Sequence, residues 1–284
     1  MNVNIKLMNE IFKKGGKTYY YSSMFFPKDI RKDVSILYSF VRTADDFVDD
    51  IPQQEQEFYE FKSTYEMALS TGENSGDEVI DAFIDLMQRQ GFDEDWTDAF
   101  LHSMEMDLVK SEYETLKDLK EYLYGSAEVI GLMMAKILKL PEESYRPARH
   151  LGRAMQYANF IRDIEEDIEL DRQYFPTEDL KKHGLSSLRL SETRNKKDSF
   201  SQFIHEQVSR YERWQEVAEE GFRFIPKRYL IPIKTASDMY KWTARGIRRS
   251  PFRVYDEKLK PSKLRIVLKG IFNSIYPQKA IGRT

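Results

Sequence analysis

Apolar residues recur at intervals of three and four along almost the whole chain, a period typical of amphipathic α-helices. From Pro27 to Asp50 this apolar stripe consists of Ile30, Val34, Leu37, Val41, Ala44 and Val48. Similar patterns predict helices at 53–70, 77–90, 94–112, 116–139, 142–170, 198–224, 227–248 and 262–275. With only 13 Gly and 10 Pro in 284 residues, the chain lacks the frequent turns of a β-sandwich or barrel. The sequence therefore predicts an all-α fold, with residues 1–284 forming a single domain.

Three further features of the sequence concern the surface of the protein and the compartment in which it works. The stretch 171–197 is rich in charge and Ser and lacks periodicity, so we expect a lid or a surface loop there. The amino terminus has no apolar stretch long enough for a signal peptide, and no apolar run approaches the length of a transmembrane helix. The absence of Cys excludes disulfides and thiolate metal sites. We therefore expect a cytoplasmic protein.

Charge is unevenly distributed along the chain. The formal net charge is −3, yet the segment from Lys241 to the carboxyl terminus, 241–284, contains 12 Lys or Arg residues and two acidic residues. Apolar residues interleave with these charges between Leu264 and Ile275. A solvated helix surface would explain this pattern, and so would contact with an anionic membrane. We expect peripheral membrane contact and no nucleic-acid partner.

Two acidic clusters carry the strongest functional signal, Asp45-Asp46-Phe47-Val48-Asp49 and Asp163-Ile164-Glu165-Glu166-Asp167. Each places Asp at positions i and i+4, so each predicts a carboxylate pair on one helical face. Two such pairs facing each other would repel unless a cation neutralised them. In a chain with no Cys and four His, clustered carboxylates suit a hard ion, Mg²⁺ above all and Mn²⁺ as a second choice. Because Mg²⁺ usually completes its shell with water and phosphate, the clusters indicate a diphosphate-bearing substrate.

Each acidic pair belongs to a longer polar stripe with helical spacing. The two stripes consist of Tyr38, Arg42, Asp45 and Asp49, and of Gln156, Asn159, Asp163 and Asp167, with Arg162 and Glu166 beside the second. Because buried amides and charges are unfavourable unless they pair or bind something, two such stripes predict a binding site. A third segment, 122–131, places Gly125 and Gly131 inside a helical pattern, where each costs about 1 kcal/mol relative to Ala. These glycines indicate either close helix packing or a bend that opens space for a long apolar ligand.

These segments together resemble the squalene/phytoene synthase family, the head-to-head prenyl synthases, and phytoene synthases in particular. The matching stretches follow one order over about residues 10–250: Gly16-Lys17-Thr18-Tyr19, Phe26-Pro27 with Arg31, Tyr38 with Arg42, Asp45-Asp46 and Asp49, Met106-Asp107-Leu108, Tyr122 with Tyr124-Gly125-Ser126-Ala127 and Gly131, Gln156 with Asn159, Arg162-Asp163 and Glu166-Asp167, Arg172 with Tyr174-Phe175-Pro176, and Tyr240. The family's Ser in the first of these motifs is Gly16 here.

The resemblance implies an isoprenoid-synthase helical bundle around a central hydrophobic cavity. It implies head-to-head condensation of two geranylgeranyl diphosphates through a cyclopropyl (prephytoene) diphosphate to 15-cis-phytoene, with diphosphate released, NADPH not required and a downstream carotenoid enzyme as a partner. Mg²⁺ ligands would be Asp45, Asp49, Asn159, Asp163 and Asp167. Substrate would contact Lys17, Thr18, Arg42, Gln156, Asn159 and Arg162. The catalytic set would be Tyr38, Arg42, Asp45, Asp49, Tyr122, Asp163, Asp167 and Tyr240.

Several alternatives stay open at the level of sequence. A squalene or dehydrosqualene synthase would use farnesyl diphosphate with the same motifs. A chain-elongating prenyl synthase would carry an Asp doublet where this chain has Asp163-Ile164, and a class I terpene cyclase would carry a hydroxyl residue where it has Asp163. Outside enzymology, the alternative is a non-catalytic helical module that binds a membrane or nucleic acid through the basic segment.

Overall fold

A computed structural model describes residues 3–256 and 258–275 and is almost entirely helical. Within these ranges no β-strand occurs, and the one bridge pairs Glu112 with Gln173. The helices are α1 (Ile5–Gly15), α2 (Lys17–Ser23), α3 (Lys28–Asp49), α4 (Glu55–Thr71), α5 (Glu78–Gln90), α6 (Glu94–Val109), α7 (Leu116–Leu123), α8 (Val129–Ile137), α9 (Tyr145–Arg162), α10 (Ile164–Glu169), α11 (Thr177–Lys182), α12 (Leu190–Asn195), α13 (Lys197–Glu220), α14 (Lys227–Arg249), α15 (Arg253–Asp256) and α16 (Lys263–Ile275). The predicted all-α class is confirmed.

The amino-terminal helices α1 and α2 were not among the helices predicted from the sequence. The Asn4 side chain caps α1 by accepting a hydrogen bond from the Leu7 N–H, and Met8 and Phe12 are buried on one face. An Asn before apolar residues spaced three and four apart is a helix-start signal. That signal is present in the sequence, so α1 could have been predicted.

The predicted helix 116–139 is interrupted by one π-helical turn, Tyr124–Glu128, between α7 and α8. Close packing explains the glycines here, because a Cβ on Gly125 would overlap the carbonyl oxygen of Ala99. A Cβ on Gly131 would likewise overlap the carbonyl of Ala148, on the facing α9. The glycines therefore let α6 and α9 approach this segment closely, and the segment also departs from regular α-helix.

The prediction of one continuous helix over 142–170 is wrong in one respect that affects the site. A short 3₁₀ turn precedes α9, and α9 ends at Arg162 because Asp163 leaves the α-helical region, with φ −103° and ψ 17°. The interruption is small, since the Asp163 N–H still donates to the Asn159 carbonyl (2.8 Å) and the Asp167 N–H to the Asp163 carbonyl (2.9 Å). Asp163 and Asp167 consequently remain one helical turn apart.

The stretch 171–197 is neither a simple lid nor a loop that only covers the surface. It contains α11 and α12, and Tyr174, Phe175 and Leu180 are buried. Short helical pieces of this kind show little periodicity in sequence, which is why the pattern predicted a loop. The segment instead forms part of the core that supports the second acidic cluster.

Buried apolar side chains form two clusters that meet at the acidic residues. One cluster contains residues of α1 and α3–α6 with most of α8, and the other contains residues of α7, α9, α13 and α14 with Tyr174 and Phe175. Tyr19 of α2 packs against both clusters. Because α3 belongs to the first and α9 to the second, the two acidic motifs lie at the junction. The single domain over 1–284 stays a prediction.

Candidate active site

Helix α3 positions the first acidic motif at its carboxyl-terminal end. Asp49 is the last residue of α3, and Asp50 turns extended just before Pro52. The Arg42 guanidinium lies one turn earlier and donates to the Asp45 carboxylate (2.6 Å) and pairs with Asp46. The side chain of Asp45 keeps 32% of its surface exposed, so this carboxylate is partly buried but still reachable by a ligand.

Helices α9 and α10 position the second acidic motif around the break at Asp163. The Arg162 guanidinium grips the Asp163 carboxylate with two hydrogen bonds, of 2.7 and 2.5 Å. Lys258, which follows α15 in the chain, also lies 3.3 Å from the Asp163 carboxylate and pairs with Glu166. The basic carboxyl-terminal segment therefore contributes a cation to this motif, which the sequence reasoning did not predict.

Arg172 connects the two motifs, and it was not among the predicted site residues. Its guanidinium donates to the Asp49 carboxylate (2.8 Å) and to the carbonyls of Val48 (2.5 Å) and Asp107 (3.2 Å). Its backbone N–H donates to the Asp167 carbonyl (2.8 Å). A single buried arginine thus holds the end of α3 beside the end of α10. The Arg172-x-Tyr174-Phe175-Pro176 motif was visible in the sequence, but its spacing carries no information about this contact.

The electrostatics indicate that the two motifs lie within reach of each other's charge. Burial raises the pKa of Asp45 to about 8, and the neighbouring Asp49 carboxylate adds to this rise. Burial also raises the pKa of Asp167, followed by the carboxylates of Asp163 and Asp49. Since the Asp49 charge acts on residues of both motifs, the carboxylates share one space. Like charges of the two motifs therefore act on each other, through Asp49 and Asp167.

Aromatic side chains from three helices line one side of this junction. The hydroxyls of Tyr240 and Tyr19 are hydrogen-bonded at 2.7 Å, and the Tyr19 and Tyr38 rings lie 6.4 Å apart. Burial raises the pKa of all three tyrosines, so they remain neutral. The Tyr38 hydroxyl lies against Gly16, where a Cβ would overlap it. Gly16 therefore fits the position because the tyrosine occupies the space that a serine side chain would need.

Tyr122 lies in a separate buried network rather than beside Tyr38 and Tyr240. Its hydroxyl donates to the Asp107 carboxylate (2.7 Å), as does the hydroxyl of Tyr174 (2.9 Å). Burial raises the pKa of Asp107 to about 6, while Arg172 and the two hydroxyls oppose the rise. Asp107 belongs to the Met106-Asp107-Leu108 motif of the family resemblance but was not predicted as a site residue. Asp107 therefore lies next to Arg172, which donates to its backbone carbonyl, and close to Asp49 of the first acidic motif.

The predicted substrate-binding residues differ in how they meet the site. The Asn159 amide donates to Gln156 (3.2 Å), and its carbonyl oxygen Oδ1 is buried without a hydrogen-bond partner. Lys17 is exposed at the start of α2, and Thr18 is partly buried beside it. Arg42 and Arg162 lie on the carboxylates themselves. Asn159, Arg42 and Arg162 are therefore placed with the acidic motifs, whereas Lys17 lies on the surface.

The donor set fits a hard divalent cation that shares its shell with a phosphate ligand. Carboxylates of both motifs face one space, and Asn159 supplies an additional buried oxygen that lacks a partner. Among residues 3–256 and 258–275, no three His, Asp or Glu side chains are already arranged to hold a metal by themselves. Mg²⁺ typically uses one or two carboxylates and takes the rest of its ligands from water and substrate phosphate. The pairs seen here suit that mode.

A small pocket adjoins the second acidic motif. It has a volume of about 140 Å³ and is lined by Asp167, Arg172, Tyr174 and residues 186–189, among others. A larger depression of about 920 Å³ is lined by Gln53 and by residues of α4. The central hydrophobic cavity implied by the resemblance stays a prediction.

Comparison with known proteins identifies the family. A family model described as squalene/phytoene synthase matches residues 12–265. The chain belongs to the squalene/phytoene synthase family. Members of this family are prenyltransferases, and the chain is therefore an enzyme of that class.

Two curated relatives of this squalene/phytoene synthase family member are named phytoene synthases. A 15-cis-phytoene synthase from Enterobacter agglomerans is 28% identical over 274 residues, covering 89% of this chain and 90% of the relative. The chloroplastic phytoene synthase 2 of Solanum lycopersicum is 26% identical over 296 residues, covering 98% and 95%. The predicted resemblance is thereby confirmed.

Solved structures of squalene/phytoene synthase relatives share the fold. The crystal structure of a dehydrosqualene synthase in complex with a ligand superposes with a TM-score of 0.85 at 24% identity, covering 96% of each chain. A squalene synthase from Alicyclobacillus acidocaldarius superposes with a TM-score of 0.76 at 21% identity, covering 88% of this chain and 94% of the other. The all-α isoprenoid-synthase fold is therefore confirmed.

The raised carboxylate pKa values predict how the stability of the metal-free protein depends on pH. Asp45 and Asp107 bind protons more tightly in the folded chain, with pKa values of about 8 and about 6, than at their ordinary value of about 4. Between these values the folded state holds protons that the unfolded chain has lost, so these groups make stability fall as pH rises. In EDTA, we expect Asp45→Asn to raise the melting temperature at pH 8 and to flatten its decline from pH 5.

The matched control for this prediction is Asp50→Asn. Asp50 is an exposed carboxylate next to the first motif, and its replacement should leave the pH profile of the melting temperature as in the wild type. Identical profiles for wild type and Asp45→Asn would show that folding does not raise the pKa of the Asp45 carboxylate. The comparison uses differences between variants because other carboxylates also titrate in this range.

Proposed function

We propose that the protein condenses two geranylgeranyl diphosphates head to head, with Mg²⁺ (or Mn²⁺) bound, to give 15-cis-phytoene. The observation that carries the proposal is the shared space of the two acidic motifs, joined by Arg172 and flanked by Arg42 and Arg162. In the first step one diphosphate leaves, the resulting allylic cation adds to the double bond of the second molecule, and loss of a proton closes a cyclopropyl diphosphate. In the second step the other diphosphate leaves, rearrangement and ring opening join the two head carbons, and loss of a second proton gives the C40 hydrocarbon.

Bond cleavage to release diphosphate requires compensation of negative charge on the departing oxygens. Asp45, Asp49, Asp163 and Asp167, together with the Asn159 oxygen, would hold Mg²⁺, which acts as a Lewis acid on those oxygens when bound. Arg42 and Arg162 already pair with Asp45 and Asp163, where they would meet a bound diphosphate. Arginines fixed before the substrate arrives stabilise developing charge without reorganisation.

The tyrosines on the junction suit the cationic half of the reaction. An allylic cation must meet the second substrate before water does, and aromatic faces attract a nearby cation while excluding water. Because burial raises the pKa of Tyr19, Tyr38 and Tyr240, their hydroxyls stay protonated and are poor bases. This supports the released diphosphate as the proton acceptor. The hydroxyls would instead orient the diphosphate as hydrogen-bond donors.

The choice of a twenty-carbon substrate is supported by the names of the curated relatives. Relatives from Synechocystis, Enterobacter agglomerans and tomato are all named phytoene synthases, at 26 to 28% identity. The dehydrosqualene and squalene synthase structures share the fold at 24% and 21% identity. A fifteen-carbon substrate giving dehydrosqualene or squalene is therefore the second candidate, favoured by the TM-score of 0.85 with a dehydrosqualene synthase.

Product analysis tests the proposal directly. Purified protein is incubated with Mg²⁺ and either geranylgeranyl or farnesyl diphosphate, with and without NADPH, and hydrocarbons are separated by chromatography with mass detection. We expect 15-cis-phytoene from the twenty-carbon substrate, no effect of NADPH and no turnover in EDTA. A C30 hydrocarbon as the main product would support the second candidate. A longer prenyl diphosphate would contradict head-to-head condensation altogether.

A further inference from the structure

The carboxyl-terminal helix α16 is buried on one face and exposed and apolar on the other. Its buried side packs on α2 and α14, where Gly270 lies against the Phe25 ring and the Asn273 amide donates to the Thr235 hydroxyl (3.1 Å). The opposite face presents Leu264 at 67% exposure, Leu268 at 57%, Ile271 at 45%, Phe272 at 50% and Ile275 at 63%. Their spacing of three and four places them on one side of the helix.

This concentration of exposed apolar side chains sets α16 apart from the rest of the described chain. Within residues 3–256 and 258–275, ten large hydrophobic side chains are exposed, and five of them lie on this one helix. The remaining five are scattered singly over other segments: Met24, Ile51, Tyr59, Met67 and Val109. Single exposed hydrophobics need no explanation, whereas a contiguous patch marks an interaction surface.

The charges around the apolar face define the chemistry of its partner. Helix α16 carries Lys263, Arg265 and Lys269 and no acidic residue. Lys263 and Arg265 are exposed. Their charged groups lie over the rings of Tyr21 (4.9 Å) and Trp242 (4.5 Å), so both positive charges stay close to α16. Lys269 is partly neutralised by Asp238, at 3.3 Å. An apolar face with cationic flanks matches the boundary between acyl chains and anionic headgroups.

We propose that the exposed face of α16 docks the enzyme on anionic lipid bilayers, with the helix lying in the plane of the interface. None of the described helices is long and apolar enough to cross a bilayer. Pairing with a second copy through this face would bring the exposed cations Lys263 and Arg265 of both copies together. Nucleic acid would neutralise the cations but leave the apolar side chains in water.

Vesicle flotation with the full chain tests this proposal. The vesicles contain phosphatidylcholine alone, or phosphatidylcholine with a third replaced by phosphatidylglycerol, and the double variant Leu264→Ser/Leu268→Ser is compared with Met67→Ser/Val109→Ser. The second pair removes the same kind of exposed side chain from α4 and α6. We expect the wild type and the control pair to float with the anionic vesicles, and less so at high salt. The α16 variant should lose about tenfold or more in partitioning, because it withdraws two apolar side chains from the interface.

Each other outcome argues against the proposal. It is overturned if the wild type does not float with phosphatidylglycerol vesicles, or if the α16 variant floats as the wild type does. Light scattering that shows a dimer lost only in the α16 variant would assign the face to a second copy. If duplex DNA bound the wild-type protein as well as the anionic vesicles do, the basic residues beside the apolar face would be assigned to nucleic-acid binding. Turnover of detergent-dispersed prenyl diphosphate should be the same in both variants, so a failure of docking is distinguishable from a failure of the proposed function.

Discussion

Asp45→Asn and Asp163→Asn are each expected to lower turnover of prenyl diphosphate by about a thousandfold or more. Each variant removes a negative charge from one of the two motifs while keeping the shape of the side chain. Asp45 is flanked by Arg42, and Asp163 is gripped by Arg162, so the neutral amide would leave the arginine in place but weaken the hold on a divalent cation. Steady-state assays over a range of Mg²⁺ concentrations measure both kcat and the metal requirement.

Matched controls separate loss of the site from loss of the fold. Asp50→Asn and Glu169→Gln alter exposed carboxylates beside the same two motifs and should retain nearly full activity. Circular dichroism should show unchanged helix content in all four variants. If Asp45→Asn retained wild-type turnover while charge reversal in the basic segment abolished function, the chain would behave as a binding module rather than as the proposed enzyme.

Arg172→Ala is expected to lower kcat by about a hundredfold or more, because small misplacements of catalytic groups are that costly. The Arg172 guanidinium fixes Asp49, whereas the backbone N–H that holds the end of α10 is kept by alanine. Gln53 also donates to the carbonyls of Val48 (2.9 Å) and Asp107 (3.0 Å), so those two acceptors keep a partner in the variant. We therefore expect a moderate loss of stability, about 1–3 kcal/mol, beside the large loss of turnover.

Arg172→Lys and Arg189→Ala complete this experiment. Lysine restores the positive charge but not the planar fork, so it should recover part of the activity and part of the Mg²⁺ affinity. Arg189 is a mostly exposed arginine of the same connecting segment, 3.5 Å from Asp171, and its removal should change neither. An Arg172→Ala variant with normal kcat and a normal Mg²⁺ requirement would show that the guanidinium contact with the first motif has no role in turnover.

The sequence predicted the parts of this molecule that depend on local periodicity. Predicting the pair Asp45 and Asp49 and the pair Asp163 and Asp167 needed only helical spacing. In the structure the two Asp residues of each pair lie one helical turn apart, as the pattern predicts. The break at Asp163 was missed because the hydrogen bonds across it persist, so no Gly or Pro marks it. The helix α1 was missed although its Asn4 cap is legible.

Contacts between residues distant in sequence could not be predicted from periodicity. Arg172 meets Asp49 across more than a hundred residues, and Lys258 reaches Asp163 from the basic segment. The Asp107 network with Tyr122 and Tyr174 likewise depends on how α6, α7 and the segment after α10 pack. Asp107 and Arg172 belong to motifs that the chain shares with the family, but the resemblance implied no contact for either residue. Tertiary packing fixes such partners.

Anomalous diffraction from crystals soaked with Mn²⁺ and a non-hydrolysable prenyl diphosphate analogue would show whether the two acidic motifs hold metal and diphosphate together. We expect manganese peaks that bridge the diphosphate to carboxylates of Asp45 or Asp49 on one side and of Asp163 or Asp167 on the other. Manganese bound elsewhere, or a diphosphate that contacts neither acidic motif, would contradict this prediction.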